Sequence, residues 1–413
     1  MIRLALPIYV ELLTAVVAVG MIDLLWVSGL GEAAIAAVTV GTTVEYLAYG
    51  LFLAVPTGVT VLIGRRDGHA PLAPVIRTGW WLWGASSVAI AVPGVLLREP
   101  LASLFTDSPA LTAGFLLVSL GGLPVYFAQT VVDGILKGMG NTKLPMRNAF
   151  ICNGLVVVLD PVFIYGLDLG VQGAALATVL ARLLTLLIAV LSVTQPRSLG
   201  PGLVVGEVLR TGLPMSGDFL ARSLVGLALV EIVAGFGTAE VAGYGIGQKI
   251  MLAGVMVFYA LRQAAMIRTA RSEPVRAPLR LGLGSGAVVA IVLNVIAAPV
   301  AGLFTEDPAV AVGFLRWMTL NLVPFGGLLA VGGVMQASGR GSRLLAATLA
   351  GFAVQLPLAY MLSSWLGVTG VWLSMAAGTA VSLVGALAPC ANGFAPPRDR
   401  APRSTRTPAG PPR

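Results

Sequence analysis

The chain has 413 residues, of which 57% are hydrophobic and only 11% are charged, and its formal net charge is +8. Its mean hydropathy of +0.91 is far above that of a soluble domain, which excludes an ordinary globular enzyme or binding module. The basic balance does not indicate a nucleic-acid partner, because the lysines and arginines fall in every second loop rather than in one patch.

Long apolar runs recur from one end of the chain to the other. Each is about 20 residues or longer, enough to cross roughly 30 Å of hydrocarbon as a helix, whereas a barrel would show short alternating segments. The first run lacks a small-residue cleavage site, so we expect it to be a helix of the mature chain and not a signal peptide. The predicted spans are residues 4–28, 33–63, 75–97, 109–136, 145–166, 170–194, 207–235, 239–268, 279–304, 309–336, 343–366 and 368–390.

The loops between these spans alternate in charge. Arg65, Arg66 and Lys137 lie in loops on one side, whereas Glu32 and Glu99 lie in loops on the other. Because basic loops of membrane proteins stay in the cytoplasm, the pattern predicts a multi-pass protein of the bacterial inner membrane with both termini in the cytoplasm.

Three short segments occur twice, about 200 residues apart and in the same order. The repeated pairs are Gly29–Ala34 with Gly235–Glu240, Leu104–Asp107 with Leu303–Glu306, and Gly170–Gly173 with Gly367–Gly370. A membrane chain built from two like halves is typical of a transporter whose substrate path lies between the halves.

The repeats predict an all-α membrane protein of twelve transmembrane helices in two pseudo-symmetric six-helix lobes. The lobes are expected at residues 1–194 and 207–390, and the Pro- and Gly-bearing segment 195–206 is expected to be a cytoplasmic linker between them. Residues 391–413 are rich in Pro and Arg without an apolar period, which is typical of a disordered cytoplasmic tail.

Several motifs resemble those of one known family. They are Asp23–Gly31 (DLLWVSGLG), Gly138–Met146 (GMGNTKLPM), Leu159–Gly166 (LDPVFIYG) and Gly170–Thr178 (GVQGAALAT). This wording is similar to that of MATE (multidrug and toxic compound extrusion) transporters, in particular the branch named for DNA-damage-inducible membrane proteins, and the likeness covers about residues 1–390. The resemblance implies a V-shaped pair of six-helix bundles that exports cationic or amphipathic compounds against entry of protons or sodium. It also implies that Asp23, Asp160 and Thr178 form the ion-coupling site.

The depth of two acidic residues agrees with this assignment. Predicted helices 1 and 5 run in the same direction, and Asp23 and Asp160 lie five and six residues before the respective helix ends. At about 1.5 Å per residue, both carboxylates should lie roughly 8–9 Å below the same membrane boundary. An acid inside a span costs a few kcal/mol, so each is a functional candidate. Two acids at one level can share a proton or a cation.

The duplication provides an internal comparison for these positions. Aligning the repeats places apolar residues of the second half opposite all three polar candidates of the first half. The aligned pairs are Asp23 with Leu229, Asp160 with Leu356, and Thr178 with Met375. Packing alone therefore does not require oxygen at these positions.

The identity of the coupling ion depends on the residues that precede Asp160. The resembled family often has Asn four residues earlier, but this chain has Val156 there, and Asn153 lies seven residues earlier on the same helix face. Losing a hard oxygen ligand affects Na⁺ binding more than proton binding, so we expect proton coupling, with Na⁺ at Asp23 and Asp160 as the alternative. No cofactor is implied.

Other charged residues inside spans are weaker candidates. Asp218 and Arg222 are four residues apart on predicted helix 7 and should pair as a structural or gating bridge. Glu11 and Asp133 lie near helix ends, where we expect them to reach water or loop arginines. The candidates for the wall of a substrate cavity are Glu45, Glu231 and Arg182.

A secondary antiporter is the function that these features favour, because the chain has no Gly-rich phosphate loop through which ATP could drive it. Its partners would be small organic cations or amphipathic compounds and the lipid bilayer, and we expect a monomer. A flippase for a lipid-linked saccharide is the alternative, but it calls for a cavity rich in arginine. An intramembrane enzyme such as a prenyl transferase would need clustered aspartates for Mg²⁺, which do not occur, so we expect no enzyme.

Overall fold

In the computed structural model, residues 1–105, 109–192, 202–305 and 307–388 are described, and these residues are almost entirely helical. Twelve spans follow one another within these ranges. They are α1 (Ile2–Leu30), α2 (Glu32–Phe52 and Ala54–Arg66), α3 (Ala73–Leu96), α4 (Pro109–Gly121 and Leu123–Gly138), α5 (Lys143–Gly166), α6 (Gly170–Ser192), α7 (Val205–Ala234), α8 (Thr238–Ala270), α9 (Pro278–Ala301), α10 (Ala309–Trp317 and Thr319–Ala337), α11 (Gly341–Leu366) and α12 (Val368–Leu387).

Among the described residues, ten helices are long and apolar enough to cross a membrane, and the two pieces of α4 together add an eleventh. The twelfth span is α7, which has 30 residues but carries Asp218 and Arg222 in its middle. The sequence-based prediction of twelve spans and two lobes is confirmed.

Several spans that the sequence predicted as continuous helices are interrupted. The pieces of α2 meet at Leu53, and those of α4 meet at Gly122 with a bend of 42°. Pro56 and Pro124 lie just after these two breaks. Proline lacks an N–H and clashes with the preceding turn, so a helix that reaches it tends to bend there. The predictions of unbroken helices at 33–63 and 109–136 are therefore wrong in this detail.

The apolar core is divided between the two halves of the chain. In the first half, the rings of Phe52 and Phe127 stack at 4.1 Å in the middle of a cluster formed mainly by α2, α3 and α4. In the second half, Tyr244, Phe314 and Trp372 pack ring against ring within a cluster drawn entirely from α7–α12. Each half thus has its own core, and we call α1–α6 the N-lobe and α7–α12 the C-lobe.

The segment expected to link the lobes is only partly described. Residues 202–204 are irregular, and α7 begins at Val205, so the end of the predicted linker 195–206 lies within a helix. Residues 195–201 of that linker and the predicted tail 391–413 lie outside the described residues.

The lobes contact each other mainly through two helix pairs, α2 with α7 and α1 with α8, and to a smaller extent through α2 with α8, α3 with α7 and α4 with α8. The backbones of α2 and α7 approach closely because Gly58 faces the carbonyl of Val208 and Gly212 faces the carbonyl of Ala54. A methyl group at either glycine would overlap the opposing carbonyl. These contacts involve the beginning of α7 and the second half of α2, which lie at the same end of the molecule.

Ion pairs between the lobes lie at this end too, which we call the basic end. Arg66 at the end of α2 binds Glu207 at the start of α7, with 2.8 Å between Nη2 and Oε2. Arg271, which follows α8, binds Asp67, with 2.5 Å between Nη1 and Oδ2. Arg65 donates to the carbonyl of Ala337 at the end of α10 at 2.6 Å. In this structure the lobes are therefore joined at the basic end.

Large apolar side chains cover much of the outer surface. Leu25, Leu96, Ile291, Val295 and Val384 are each more than half exposed. A soluble monomer rarely leaves so much contiguous apolar surface in water, so this surface is suited to contact with lipid.

Candidate functional site

A cavity of about 530 Å³ lies between the two lobes. Helices α1, α2, α4, α5 and α6 form its N-lobe wall, and α7 and α8 form its C-lobe wall. Aromatic and methionine side chains supply most of the apolar lining, which suits ligands of varied shape because such side chains adapt their packing. They are Tyr46, Tyr49, Tyr126, Met215, Phe219, Met256, Tyr259 and Met266.

Charged side chains in this central cavity carry an excess of acid. Three carboxylates and two basic groups line it. Lys137 binds Glu11 with 2.7 Å between Nζ and Oε1, and it also acts electrostatically on Asp133, so one ammonium group faces two acids. Arg182 pairs with Glu45, with 3.5 Å between Nη1 and Oε2, and its guanidinium lies over the ring of Tyr126. The remaining negative charge favours cationic ligands.

The sequence assigned Glu45, Arg182 and Glu231 to a substrate cavity, and the structure places two of these three residues in the wall of the central cavity. Glu45 and Arg182 both line the central cavity. Glu231 does not belong to its wall and is exposed, so its assignment to the cavity is wrong. It lies two residues beyond Leu229, about 200° around the helix. Since Leu229 is buried, Glu231 must point outward.

Sequence reasoning missed part of the cavity wall. Glu11 and Asp133 were expected to reach water or loop arginines, but Glu11 is 8% exposed and both line the cavity. The available signal was the spacing of Asp133 and Lys137, which puts an acid and a base on one face of α4. That spacing indicates a charged helix face but does not reveal that the face looks into a cavity.

A second polar site lies within the N-lobe, where α1 and α5 bring Asp23 and Asp160 together. Asp23 is 6% exposed and Asp160 is 0% exposed, and the two carboxyl groups are close enough to influence each other electrostatically. One oxygen of Asp23 and both oxygens of Asp160 have no hydrogen-bond partner among the described residues. Apolar side chains of the same two helices and α6, including Val156, form a buried cluster between these helices. Two adjacent carboxylates in such surroundings repel each other, and a proton or a cation between them relieves this repulsion.

The helices that hold these acids are distorted beside them. α1 contains a π-helical segment, Leu13–Ala18, and α5 ends in another, Val162–Gly166, directly after Pro161. Such segments leave backbone groups without their usual partners and are common at functional sites. The amide nitrogen of Asn153 donates to the carbonyl of Thr14 in the first of them, at 2.9 Å.

The other two residues predicted for ion coupling, Asn153 and Thr178, have different surroundings. Asn153 ties α5 to α1 and borders the central cavity. The structure gives no hydrogen bond from Asn153 to Asp23 or Asp160 among the described residues, so its role in ion coupling stays a prediction. Thr178 on α6 is 8% exposed, and its hydroxyl has no hydrogen-bond partner among the same residues. This hydroxyl is a buried polar group on α6, a helix that packs against α5.

The expected bridge between Asp218 and Arg222 is part of a larger cluster. The Arg222 guanidinium donates to Oδ1 of Asp218 at 3.1 Å, and Arg262 on α8 donates to Oδ2 at 2.7 Å. Arg262 is 2% exposed and has no sequence spacing that links it to Asp218. The cluster joins α7 to α8 inside the C-lobe. Among the described residues, no group of three or more His, Cys, Asp or Glu is arranged to hold a metal ion.

Comparison with known proteins agrees with the fold. The family model MatE matches residues 7–162 and 214–361. The chain is 25% identical over 396 residues to a probable multidrug resistance protein, YoeA, of Bacillus subtilis, with 86% of this chain and 85% of that protein covered. It is 23% identical over 290 residues to the multidrug export protein MepA of Staphylococcus aureus, covering 65% and 64% of the two chains. The crystal structure of MATE in complex with MaD5 superposes with a TM-score of 0.84 at 26% identity, covering 94% of this chain and 93% of that one.

Proposed function

The chain belongs to the MatE family, and from this premise we propose that it is a secondary antiporter that exports cationic or amphipathic compounds in exchange for protons. The names of its relatives as multidrug resistance and export proteins support the class of substrate. The acid-rich, aromatic central cavity between the lobes supports it too. The observation that carries the coupling proposal is the buried pair Asp23 and Asp160, in which one oxygen of Asp23 and both oxygens of Asp160 have no hydrogen-bond partner in the described part of the chain.

In the proposed cycle, the Asp23–Asp160 pair binds a proton from outside and releases it to the cytoplasm. Arg182 and Glu45 act electrostatically on Asp23 and also line the central cavity. A cationic substrate near Glu45 therefore changes the field at Asp23, and protonation of Asp23 weakens the cavity's attraction for the substrate. Bound substrate therefore disfavours protonation of Asp23, and protonation of Asp23 disfavours substrate binding. This mutual effect makes the transporter exchange the substrate for a proton.

The energy of one proton is sufficient for useful export. A proton that crosses with a potential of 100 mV contributes about 2.3 kcal/mol, and a tenfold proton gradient adds about 1.4 kcal/mol. For a neutral amphipathic substrate, the two together sustain a gradient of roughly several hundredfold in a one-to-one exchange. For a monovalent cation the same exchange moves no net charge, so the proton gradient alone drives it and sustains about a tenfold substrate gradient.

We assign the basic end of the molecule to the cytoplasm, since basic loops are retained there. Both termini are then cytoplasmic, the membrane is the bacterial inner membrane, and the contacts between α2 and α7 close the cytoplasmic side in this state. Export requires these contacts to open in the alternate state. We propose that a monomer carries out the whole cycle, because the cavity is complete within one chain.

The experiment is efflux of a fluorescent organic cation from proteoliposomes, with a pH gradient and a Na⁺ gradient applied in separate arms. We expect the pH gradient alone to drive efflux, and Asp160→Asn or Asp23→Asn to abolish this dependence because an amide cannot exchange a proton. Asp168→Asn is the matched control. Asp168 is exposed and has a positive φ of 53°, which asparagine also tolerates.

Three outcomes would contradict the proposal. Efflux driven only by the Na⁺ gradient would replace the proton by Na⁺ at the same site. Intact pH-driven efflux in Asp160→Asn would remove the coupling role from this pair. Absence of any gradient-driven efflux of organic cations by the unmodified protein would reject the substrate class.

A further inference from the structure

A second cavity, of about 270 Å³, lies wholly inside the C-lobe between α7, α8, α10, α11 and α12. Its wall includes Leu229 and Met375, which the internal repeat aligns with Asp23 and Thr178 of the N-lobe. The C-lobe cavity therefore occupies the position that corresponds to the carboxylate site of the N-lobe, but its charge is of the opposite sign.

Arg222 provides that charge. Its guanidinium carbon lies 5.1 Å from the ring centre of Phe325 and 5.7 Å from that of Phe352, so two aromatic rings hold it. Nη2 donates to Asp218, whereas the buried Nε has no hydrogen-bond partner among the described residues. Arg222 also lines the cavity. A guanidinium fixed in this way still has donors for a further acceptor, and its planar shape matches a carboxylate.

The positive charge beside the cavity exceeds the negative charge that the described residues supply there. Arg222 and Arg262 both bind Asp218, so two guanidinium groups face one carboxylate. The side chain of Arg262 is only 3% exposed. None of the described residues that line the cavity is Asp or Glu. A buried net charge is costly unless an opposite charge accompanies it, so the cavity favours an anion.

Neutral polar groups of the wall are arranged as donors. Thr379 donates to Oδ1 of Asn321 at 2.7 Å, so the amide nitrogen of Asn321 remains for another acceptor. Gln248 donates to the hydroxyl of Tyr244 at 2.6 Å, which leaves the proton of that hydroxyl to be donated elsewhere. Most of the rest of the wall is apolar and consists of aromatic, methionine, valine and leucine side chains.

We propose that the C-lobe cavity is a binding site for small aromatic monocarboxylates, with the carboxylate on Arg222 and the ring among the aromatic side chains. The volume lies just below the roughly 300–1,000 Å³ of pockets for drug-sized ligands, so one or two fused rings fit best. Tyr259 belongs to the walls of both cavities, so the site adjoins the central cavity. The protein thus has a site for anions beside the site for organic cations.

The test is calorimetric titration of the purified full-length protein in lipid nanodiscs with three probes of the same shape. These are 2-naphthoate, the neutral 2-naphthamide and the cationic 2-naphthylmethylammonium. We expect 2-naphthoate to bind roughly tenfold to hundredfold more tightly than 2-naphthamide, the usual effect of a hydrogen-bonded charge. Arg222→Gln should remove this preference. Arg316→Gln, at an exposed arginine of the same lobe, should leave it unchanged.

A second variant tests the location without changing any charge. Gly226 lines the cavity and has open space where a side chain would be, so Gly226→Leu should fill the cavity and weaken 2-naphthoate binding at least tenfold. Equal affinity for 2-naphthoate and 2-naphthamide in the unmodified protein would overturn the proposal, as would undiminished 2-naphthoate binding in Gly226→Leu. Because titration needs no ion gradient, failure here leaves the efflux proposal untouched, and failure of proton-driven efflux leaves this site untouched.

Discussion

Two carboxylic acids in the N-lobe occupy positions where the C-lobe has leucine. Asp23 and Asp160 are buried and have oxygens without a hydrogen-bond partner among the residues that the structure describes. Leu229, at the position aligned with Asp23, is 2% exposed and packs in the core. A buried polar atom without a hydrogen bond costs about 1–3 kcal/mol. The acids therefore lower the stability of the N-lobe, which is typical of residues retained for function.

The double variant Asp23→Leu with Asp160→Leu should raise the thermal midpoint of unfolding while it abolishes ion-driven efflux. The reason is that the apolar pair removes roughly 1–3 kcal/mol of unfavourable burial per acid. Intrinsic fluorescence of the detergent-solubilised protein during heating gives the midpoint. The reverse change, Leu229→Asp, should lower the midpoint. A lower midpoint in the double leucine variant would mean that the acids stabilise the fold.

At the scale of helices, the close backbone contact of α2 with α7 controls how the lobes meet. Gly212 faces the carbonyl of Ala54, and Gly58 faces that of Val208, with no room for a side chain at either glycine. Small residues let two helices approach until their backbones touch, and even one methyl group separates them. This contact therefore belongs to one conformation of the transporter and cannot persist when the helices part.

Gly212→Ala should shift the protein away from the conformation that is closed at the basic end. The added methyl group meets the backbone of α2, which cannot move without separating the lobes. Distances between spin labels placed on the two lobes at the basic end would report the shift as an increased population at longer distances. Gly206→Ala is the control on the same helix, since nothing lies within 4 Å of the added atom there. Identical distance distributions in the two variants would contradict the prediction.

At the scale of the whole molecule, ionic contacts across the lobes favour the same closed arrangement. Arg271 binds Asp67 in the other lobe, and Arg66 binds Glu207. Each of these groups is partly exposed, so a single pair contributes only about 0.2–1 kcal/mol. Such modest energies suit a transporter, because its two conformations must remain close in free energy.

Arg271→Gln should increase the fraction of molecules open at the basic end by up to about fivefold, the effect of roughly 1 kcal/mol on a two-state equilibrium. A hydrophilic thiol reagent added from the basic end labels a single cysteine placed in the central cavity, and the rate of this labelling measures the fraction of open molecules. Arg276→Gln is the control, since Arg276 is an exposed arginine in the same loop. High salt should reduce the difference between the two, because it screens exposed pairs.

The sequence by itself determined the membrane location, the twelve spans, the two lobes and the family. The first three follow from the length and apolar character of each span and from the internal repeat, which are local and additive along the chain. The family follows from the short motifs that resemble those of its members. It also indicated that Asp23 and Asp160 lie at one depth, because rise per residue converts sequence position into height.

Only the tertiary structure decided which way the side chains face and what they meet. Height along a helix is readable from sequence, but the rotation of each helix about its axis depends on packing against all its neighbours. Glu231 was therefore assigned to the wrong side of α7, and the cavity positions of Glu11 and Asp133 were missed. The second guanidinium on Asp218, that of Arg262, comes from another helix. The charge of the C-lobe cavity likewise arises from groups that meet only after the helices have packed.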